Sequence, residues 1–598
     1  MRVSKSWRTL VASKRFDGLV YFALFAILLI QLIKLGDKPG LYFDAMYPDY
    51  IGVQYLFPQQ YYVRSQAAEP WLCQIYHGNI GVWITLLSVL ITGTTSILQH
   101  HIVYGIFAAA CVGMLYSILT HRRVGVPKEL AAAAVLVFTV WPCLWTVVIT
   151  QYYMSLAGSL CVLGCARLYL SYLETPDHHT KLIAGWFLLG VSFYTYFCFL
   201  FFVPAFLVAT WRVLPRHDWK ATLDRLILCL ISYLFGCAFY LIGYTQIALY
   251  KAGYSLQNLQ KFLLFVVFYS LLLLMYELFR RRVSLRYGVL GAGLVVCAVW
   301  AVKVLPYLAS NAESLQVMGA EPASLVQKVA HIFNDFSYLI SVLSTQRLIL
   351  GYDIIAWDNQ KIWLFWLVLT VVTFLMERIS KRKSLPWKAL FMVWGSYLLC
   401  CVAFGSRMQP QHYVPLTFVM VGLVACQMSS LYTSVTVLGK KAAARNARIV
   451  GVVFTAVLLL VSAVDSTRIL QEIRVTGGNG RFTSQLTQLA YDALENAEQG
   501  EKELYLFPDW GFFTGFDYLT RNSIPFQGNL DEEVSGSYFA DGGNLVLCCW
   551  EKEDVAQYEA FLHKVMGSQT GSIVTEEKYD PNGSLAFYKL TLSHDAEL

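Results

Sequence analysis

Apolar runs of about 20 residues recur along most of this chain, set apart by loops in which lysine and arginine gather. No backbone amide or carbonyl can go unpaired in a bilayer core, and about 20 helical residues cross it. Such runs stand near 17–35, 102–120, 129–149, 152–173, 182–197, 197–212, 226–248, 261–279, 287–305, 361–377, 388–404, 412–432 and 449–464. Thirteen membrane helices are therefore expected. The stretch from Leu182 to Trp211 is too long for one span and is read as two short helices turning near Tyr196–Phe199. Composition closes the alternatives: of 598 residues 57% are hydrophobic and only 14% charged. Soluble domains carry about 25% charge, and disordered chains carry few large apolar residues, so neither class fits.

Basic residues set the expected orientation. Arg2, Lys5, Arg8, Lys14 and Arg15 place the N-terminus in the cytoplasm. Arg122, Arg123 and Lys128 mark an inner loop, as do Arg280–Arg282 with Arg286, Arg378 with Lys381–Lys383, and Lys440, Lys441, Arg445 and Arg448. An odd number of spans then puts the C-terminus outside. The formal charge of +7 divides accordingly: residues 1–466 carry 37 basic and 18 acidic side chains, and residues 467–598 carry 9 and 21. We read 1–466 as a plasma-membrane domain and 467–598 as an extracytoplasmic α/β domain. The membrane domain has long outer loops at 36–101 and 306–360. The apolar stretch 79–97 would break the parity of the basic loops, so it is read as an interfacial helix. Leu325, Val329, Ile332, Phe333, Phe336 and Ile340 fall on one helical face, with Lys328, Asn334 and Asp335 expected elsewhere.

In the tail a helix near 482–498, a strand ELYLF, a short helix after Trp510, a strand NLVLCCW and a helix near 552–567 are expected. Asp580-Pro581-Asn582-Gly583 is a hairpin turn. Eleven of the 14 cysteines sit in apolar segments and act as small hydrophobes, so no disulfide framework or zinc spacing is read.

Few polar residues stand where topology does not explain them. Asp44 and Asp49 follow the first span among Tyr42, Tyr47 and Tyr50. A carboxylate shielded by aromatics can act as a general base; the plainer reading is a helix cap in an aromatic belt. Arg407, Gln411, His412 and Tyr413 cluster before a late span, where an outer arginine matches a phosphate or simply snorkels. His77, His100 and His101 could join Asp44 and Asp49 around a metal, but no compact ligand spacing exists. Gln151, Tyr152 and Tyr153 occupy a tight turn, with Tyr152 and Tyr153 as substrate-binding candidates. Glu321, His331, Asp335, Asp353 and Asp358 are read as solvated or capping. No phosphate loop, zinc-protease motif or nucleophile elbow is present, and no nucleic-acid partner is expected.

Taken in order, several of these features form a pattern. Asp44 follows the first span, and His77 to His101 lead into the second. Trp141-Pro142 lies in the third, a glycine-containing run starts at Gly185, and Arg407 precedes Tyr413 and Pro415-Leu416. In this order the chain resembles the GT-C glycosyltransferases, a superfamily that includes protein O-mannosyltransferases and lipid A aminoarabinose transferases. Two departures bear on mechanism. Many members pair two acids at the first site, whereas Ala45 follows Asp44 here, leaving the base open between Asp44 and Asp49. Metal-dependent oligosaccharyltransferases carry an acidic motif where this chain has Gln151-Tyr152-Tyr153, so the resemblance implies no cofactor and does not favour a divalent metal.

The resemblance implies a polytopic α-helical membrane enzyme with a C-terminal α/β domain. It would be an inverting transferase, moving a sugar from a polyprenyl-phosphate donor to a glycan, lipid or protein acceptor. Asp44 or Asp49 would be the base. Arg407, His412 and Tyr413 would hold the donor phosphate, with His77, Tyr152 and Tyr153 nearby. A flippase of lipid-linked glycans would be built from repeated halves with polar midplane residues, and neither is seen. A glycan polymerase or ligase using a polyprenyl-diphosphate oligosaccharide is the other alternative.

Overall fold

Apolar residues spaced three and four apart bury one stripe of the first apolar run: Val20, Leu24, Leu28, Leu32 and Leu35. The opposite face is equally apolar yet open, with Leu19 56% and Phe22 71% exposed. A helix hydrophobic all round belongs in lipid. The computed structural model describes residues 9–57, 71–74, 77–176, 179–214, 218–251, 324–356, 359–382, 384–403, 408–439 and 441–594, with five isolated positions between 288 and 302. The spans expected near 261–279 and 287–305 fall outside this set.

Lys14–Leu35 (α1) leads into two first-loop helices, Phe43–Leu56 (α2) and Ile80–Thr92 (α3). Ile97–Leu119 (α4) follows, then Lys128–Val140 (α5), Pro142–Val148 (α6), Met154–Glu174 (α7), His179–Thr195 (α8) and Val203–Val213 (α9). Trp219–Gly236 (α10) and Ala238–Lys251 (α11) precede the second loop, which holds Leu325–Ile340 (α12) and Leu343–Leu350 (α13). Asn359–Ile379 (α14), Pro386–Ala403 (α15), Val414–Val437 (α16) and Lys441–Thr476 (α17) complete the membrane part.

Among the described residues seven helices are long and apolar enough to cross a membrane, or nine if two bent pairs each count as one. The expected count of thirteen is not reached there. The pair α5–α6 bends by 54° at Trp141-Pro142. Proline lacks an amide donor and drives the preceding residue out of helical geometry, and Trp141 is extended (φ −61°, ψ 134°). The helices α8 and α9 are the expected short pair, separated by an extended Tyr196 and a 3₁₀ helix at Phe197–Phe202. At 13 residues α3 is only about 20 Å long, too short to span, and ends on Gly93 in the left-handed conformation.

Ser324 and Gln327 form a capping box at the start of α12. Its C-terminal half docks rather than lying free: Phe336 meets Trp363 and Tyr413, and Trp141 Nε1 donates to the Ile340 carbonyl at 2.8 Å. Asp335, expected away from the apolar face, is instead buried beside Phe336. A side chain pointing off the stripe is covered when neighbours pack on both flanks of a helix.

Ion pairs tie several basic span ends to neighbouring helices. Lys128 pairs with Asp17 at 2.7 Å, Arg122 with Glu174 at 3.3 Å, and Lys388 with Glu377 at 2.7 Å. The last span, α17, is 36 residues long and runs past residue 467 to Thr476 before the sheet domain begins.

That domain contains Gln485–Glu498 (α18), Phe513–Thr520 (α19), Glu532–Ala540 (α20) and Lys552–Met566 (α21). Its five strands follow a two-stranded ribbon in the first loop, Leu72–Gln74 (β1) and His77–Gly78 (β2). They are Glu503–Leu506 (β3), Phe526–Gln527 (β4), Asn544–Cys549 (β5), Gly571–Tyr579 (β6) and Leu585–His594 (β7), in the order β4-β3-β5-β7-β6. The strand β3 runs parallel to β4 and β5, and β7 runs antiparallel to β5 and β6. One face, with Leu545, Leu547 and Cys549, packs under Phe539 and Leu562. The other face, with Tyr505, Val546 and Cys548, packs on α18, α19 and the first loop through Leu41, Tyr42, Met46 and Val53. Burial on both faces explains the unbroken apolar run NLVLCC. The strand β4 and helix α20 were not expected: two residues give no alternation, and α20 has a weak apolar stripe.

Candidate functional site

The helix α2 begins directly after Tyr42, and Asp44 is its second residue. The Asp44 side chain lies outside the described residues. Asp49, on the same helix, is 2% exposed. Its surroundings depend on close helix contact. A Cβ on Gly52 would lie 3.1 Å from Thr85 Cβ and from the Val82 carbonyl, and one on Gly81 2.9 Å from Pro48. Small residues at these two positions let α2 and α3 touch. Thr85 can therefore donate to Asp49 Oδ1. Tyr153, in the turn Gln151–Tyr153, donates to Asp49 Oδ2 at 2.6 Å. His100 Nε2 lies 3.3 Å from the same oxygen. The His100 ring meets Tyr153 edge-on at 4.6 Å and tilts toward Tyr104 at 4.9 Å. A buried carboxyl without donors would cost several kcal/mol, of order 3–5; here both oxygens are met.

A small cavity opens beside this cluster, lined by Pro48, His77, Ile84, Tyr104, Tyr153 and Thr195 among others. On its far side His77 stacks on Tyr196 at 4.2 Å, and Tyr196 stacks on His412 at 5.3 Å. The backbones of His77 and Tyr196 also bridge. Burial, reinforced by the neighbouring His412 ring, pulls the His77 pKa down to about 3, so it is a neutral hydrogen-bonding ring at physiological pH.

His412 and Tyr413 are both buried, and the His412 carbonyl accepts from Tyr397 at 2.5 Å. Arg407, expected beside them, lies outside the described residues. Tyr152 faces Ser344 and Asp335 of the second loop rather than the Asp49 cluster. Asp353 forms an ion pair with Arg347 at 2.7 Å, while Glu321 and Asp358 lie outside the described residues. Among the described residues no three His, Cys, Asp or Glu side chains converge as a metal site requires. Sequence reasoning missed Thr85, Tyr104 and Tyr196. Their signal was faint: polar groups inside apolar runs, which usually face protein rather than lipid.

The C-terminal domain seals one side of α2. Gln54 donates to Asp517 at 3.0 Å, Asn522 donates to the Phe57 carbonyl, and Tyr518 donates to the Ser96 carbonyl at 3.3 Å. Phe513 meets Tyr50 edge-on at 5.8 Å. Burial drives the Asp517 carboxyl well above the usual range.

No family model and no curated protein sequence matches this chain. Solved structures do. ArnT from Cupriavidus metallidurans, in complex with undecaprenyl phosphate, superposes with a TM-score of 0.54 at 12% identity, covering 98% of this chain and 99% of that one. Looser likenesses, which carry no weight for the fold, are the Archaeoglobus fulgidus oligosaccharyltransferase (TM-score 0.42, 13% identity, 94% and 72% covered) and the yeast Pmt1–Pmt2 O-mannosyltransferase complex (TM-score 0.30, 13% identity, 40% and 34% covered). This chain is a multi-pass membrane protein with the fold of ArnT.

Proposed function

We propose that this protein is an inverting membrane glycosyltransferase that moves a sugar from a polyprenyl-phosphate donor to an acceptor outside the plasma membrane. The acceptor would be a cell-wall polymer, a lipid-linked glycan or a protein. The observation that carries this reading is the fold shared end to end with ArnT, a protein seen holding undecaprenyl phosphate. The gathering of lysine and arginine in the sequence at 122–128, 378–383 and 440–448 supports an N-terminus in the cytoplasm and the C-terminal domain outside.

In the reaction the acceptor oxygen attacks the anomeric carbon opposite the phosphate. The bond from that carbon to the phosphate oxygen breaks, polyprenyl phosphate leaves as an anion, and the acceptor proton passes to a carboxylate. Arg407, with His412 and Tyr413, would hold the leaving phosphate, so its charge would be met by a guanidinium rather than a metal. His77 and Tyr153, which line the cavity beside Asp49, would bound the sugar, with Tyr152 next in the turn. Asp44 is the proposed base and Asp49 the alternative. What favours Asp44 is that both Asp49 oxygens already accept from Thr85 and Tyr153.

The test is full-length protein in liposomes with polyprenyl-phosphate sugars. Release of polyprenyl phosphate with sugar on an acceptor supports transfer; movement of the intact donor without cleavage would make it a transporter. Asp44→Ala should insert normally and lose transfer, and full activity in that variant sinks the assignment of the base.

A further inference from the structure

One cation of the C-terminal domain is placed against the local charge. Beyond Thr476 the chain carries 20 acidic residues and seven basic ones, Arg481 among them. Arg481 nevertheless forms no ion pair among the described residues. It is exposed, in the turn Gly480–Phe482, and is held by rings instead of carboxylates. Its guanidinium lies 5.2 Å from the Trp510 ring and 5.7 Å from the Tyr42 ring, and Nη1 donates to the Tyr42 hydroxyl at 3.4 Å. Two rings and one long hydrogen bond leave most of the five guanidinium donors free to meet an anion.

The rings themselves are built into position. Trp510 and Tyr42 meet at 5.5 Å, nearly perpendicular. Trp550 fixes the Trp510 backbone by donating to its carbonyl at 2.9 Å, and the Trp550 amide is held by Asp509 at 2.9 Å. Gly511 sits at φ +108°, where a Cβ would come 3.3 Å from Tyr42 and 3.5 Å from Arg481. Only glycine takes that backbone without strain, and it lets the Trp510 loop close over Tyr42. Trp510 still remains 46% exposed. A half-exposed indole beside a guanidinium that no carboxylate meets among the described residues offers an apolar face for the C–H side of a pyranose and charged donors for an anionic substituent.

The location gives this seat a meaning, which rests on the transferase reading above. Tyr42 is the residue before α2, two positions ahead of Asp44. We propose that Arg481, Trp510 and Tyr42 form an acceptor subsite for a sugar carrying a phosphate or carboxylate group. The C-terminal domain would thereby select the acceptor and deliver its hydroxyl toward the start of α2.

The experiment is saturation-transfer NMR on the full-length protein in zwitterionic nanodiscs, with glucose 6-phosphate, glucuronate, glucose and inorganic phosphate as separate probes. One or both anionic sugars should bind more tightly than glucose or phosphate alone, and the preferred one identifies the anion. Arg481→Gln should weaken the anionic sugar at least about tenfold while leaving glucose unchanged, and Trp510→Ala should weaken every sugar. Unchanged glucose binding in Arg481→Gln also shows that the variant is folded. Equal binding of anionic and neutral sugars by the wild type, or unaltered anionic binding by Arg481→Gln, overturns the proposal, as does inorganic phosphate matching the sugar phosphate. Binding is read without turnover, so this failure leaves the transferase reading standing. Loss of donor cleavage with binding intact would count against the transferase alone.

Discussion

The Tyr153 hydroxyl donates to Asp49 at 2.6 Å, tying the turn after α6 to α2, whose second residue is Asp44. Thr85 closes the other carboxyl oxygen from α3. Asp49 is thereby the point at which three separate segments are pinned around the head of α2.

This arrangement predicts a division of labour between the two acids. Asp49→Asn keeps one acceptor oxygen but puts an amide donor against a hydroxyl, so it should lower kcat roughly tenfold through misplacement. The pH profile of transfer should keep its wild-type shape, since the titrating base remains. Kinetics of Asp49→Asn beside Asp44→Asn decide the matter. An inactive Asp49→Asn protein together with an active Asp44→Asn protein would reverse the two roles.

Close approach of α2 and α3 is a second point of leverage. A side chain at Gly52 collides with Thr85 and with the Val82 backbone at 3.1 Å. Gly52→Val should push Thr85 off Asp49 and cost about 1–3 kcal/mol through overpacking. We expect lower thermal stability and a fall in transfer, with membrane insertion retained. A wild-type melting midpoint in detergent would show that the contact does not constrain the site.

Asp580 makes stability depend on pH. It is buried in the β6–β7 turn, and burial raises its pKa to about 6 despite the hydrogen bond from Thr483 and the nearby Lys38 charge. A carboxyl whose folded pKa is raised binds its proton more tightly in the folded state. Its contribution is therefore fully present below the unfolded value near 4 and is lost as pH rises through about 6. Asp580→Asn keeps an oxygen for Thr483 and should remove this loss. Relative to wild type, its midpoint should rise by about 2–4 °C between pH 4 and pH 7. A constant difference across that range would contradict the assignment.

Much of the membrane part was legible from local rules. The run 129–149, read as one span, bends at Trp141-Pro142 for a local reason the reading passed over: proline dictates its own and its neighbour's backbone. The pair α8–α9 and the capping box at Ser324 follow for similarly local reasons. Asp335 did not follow, because its burial comes from elements packing on both flanks of α12. The strand β4 was hidden because its two residues pair with β3 only after the sheet has assembled.

Sequence alone determined that this chain lives in a membrane, where its basic ends gather and where acids stand beyond the first span. Hydropathy and charge act through solvent, residue by residue, and need no knowledge of partners. Only the tertiary structure decided what those acids meet. The donors to Asp49 come from 36 and 104 residues away, and Arg481 is brought to Tyr42 from 439 residues on. Contacts at such separations arise from helix crossings and from a sheet domain packed on the first loop, and no local pattern in the chain encodes them.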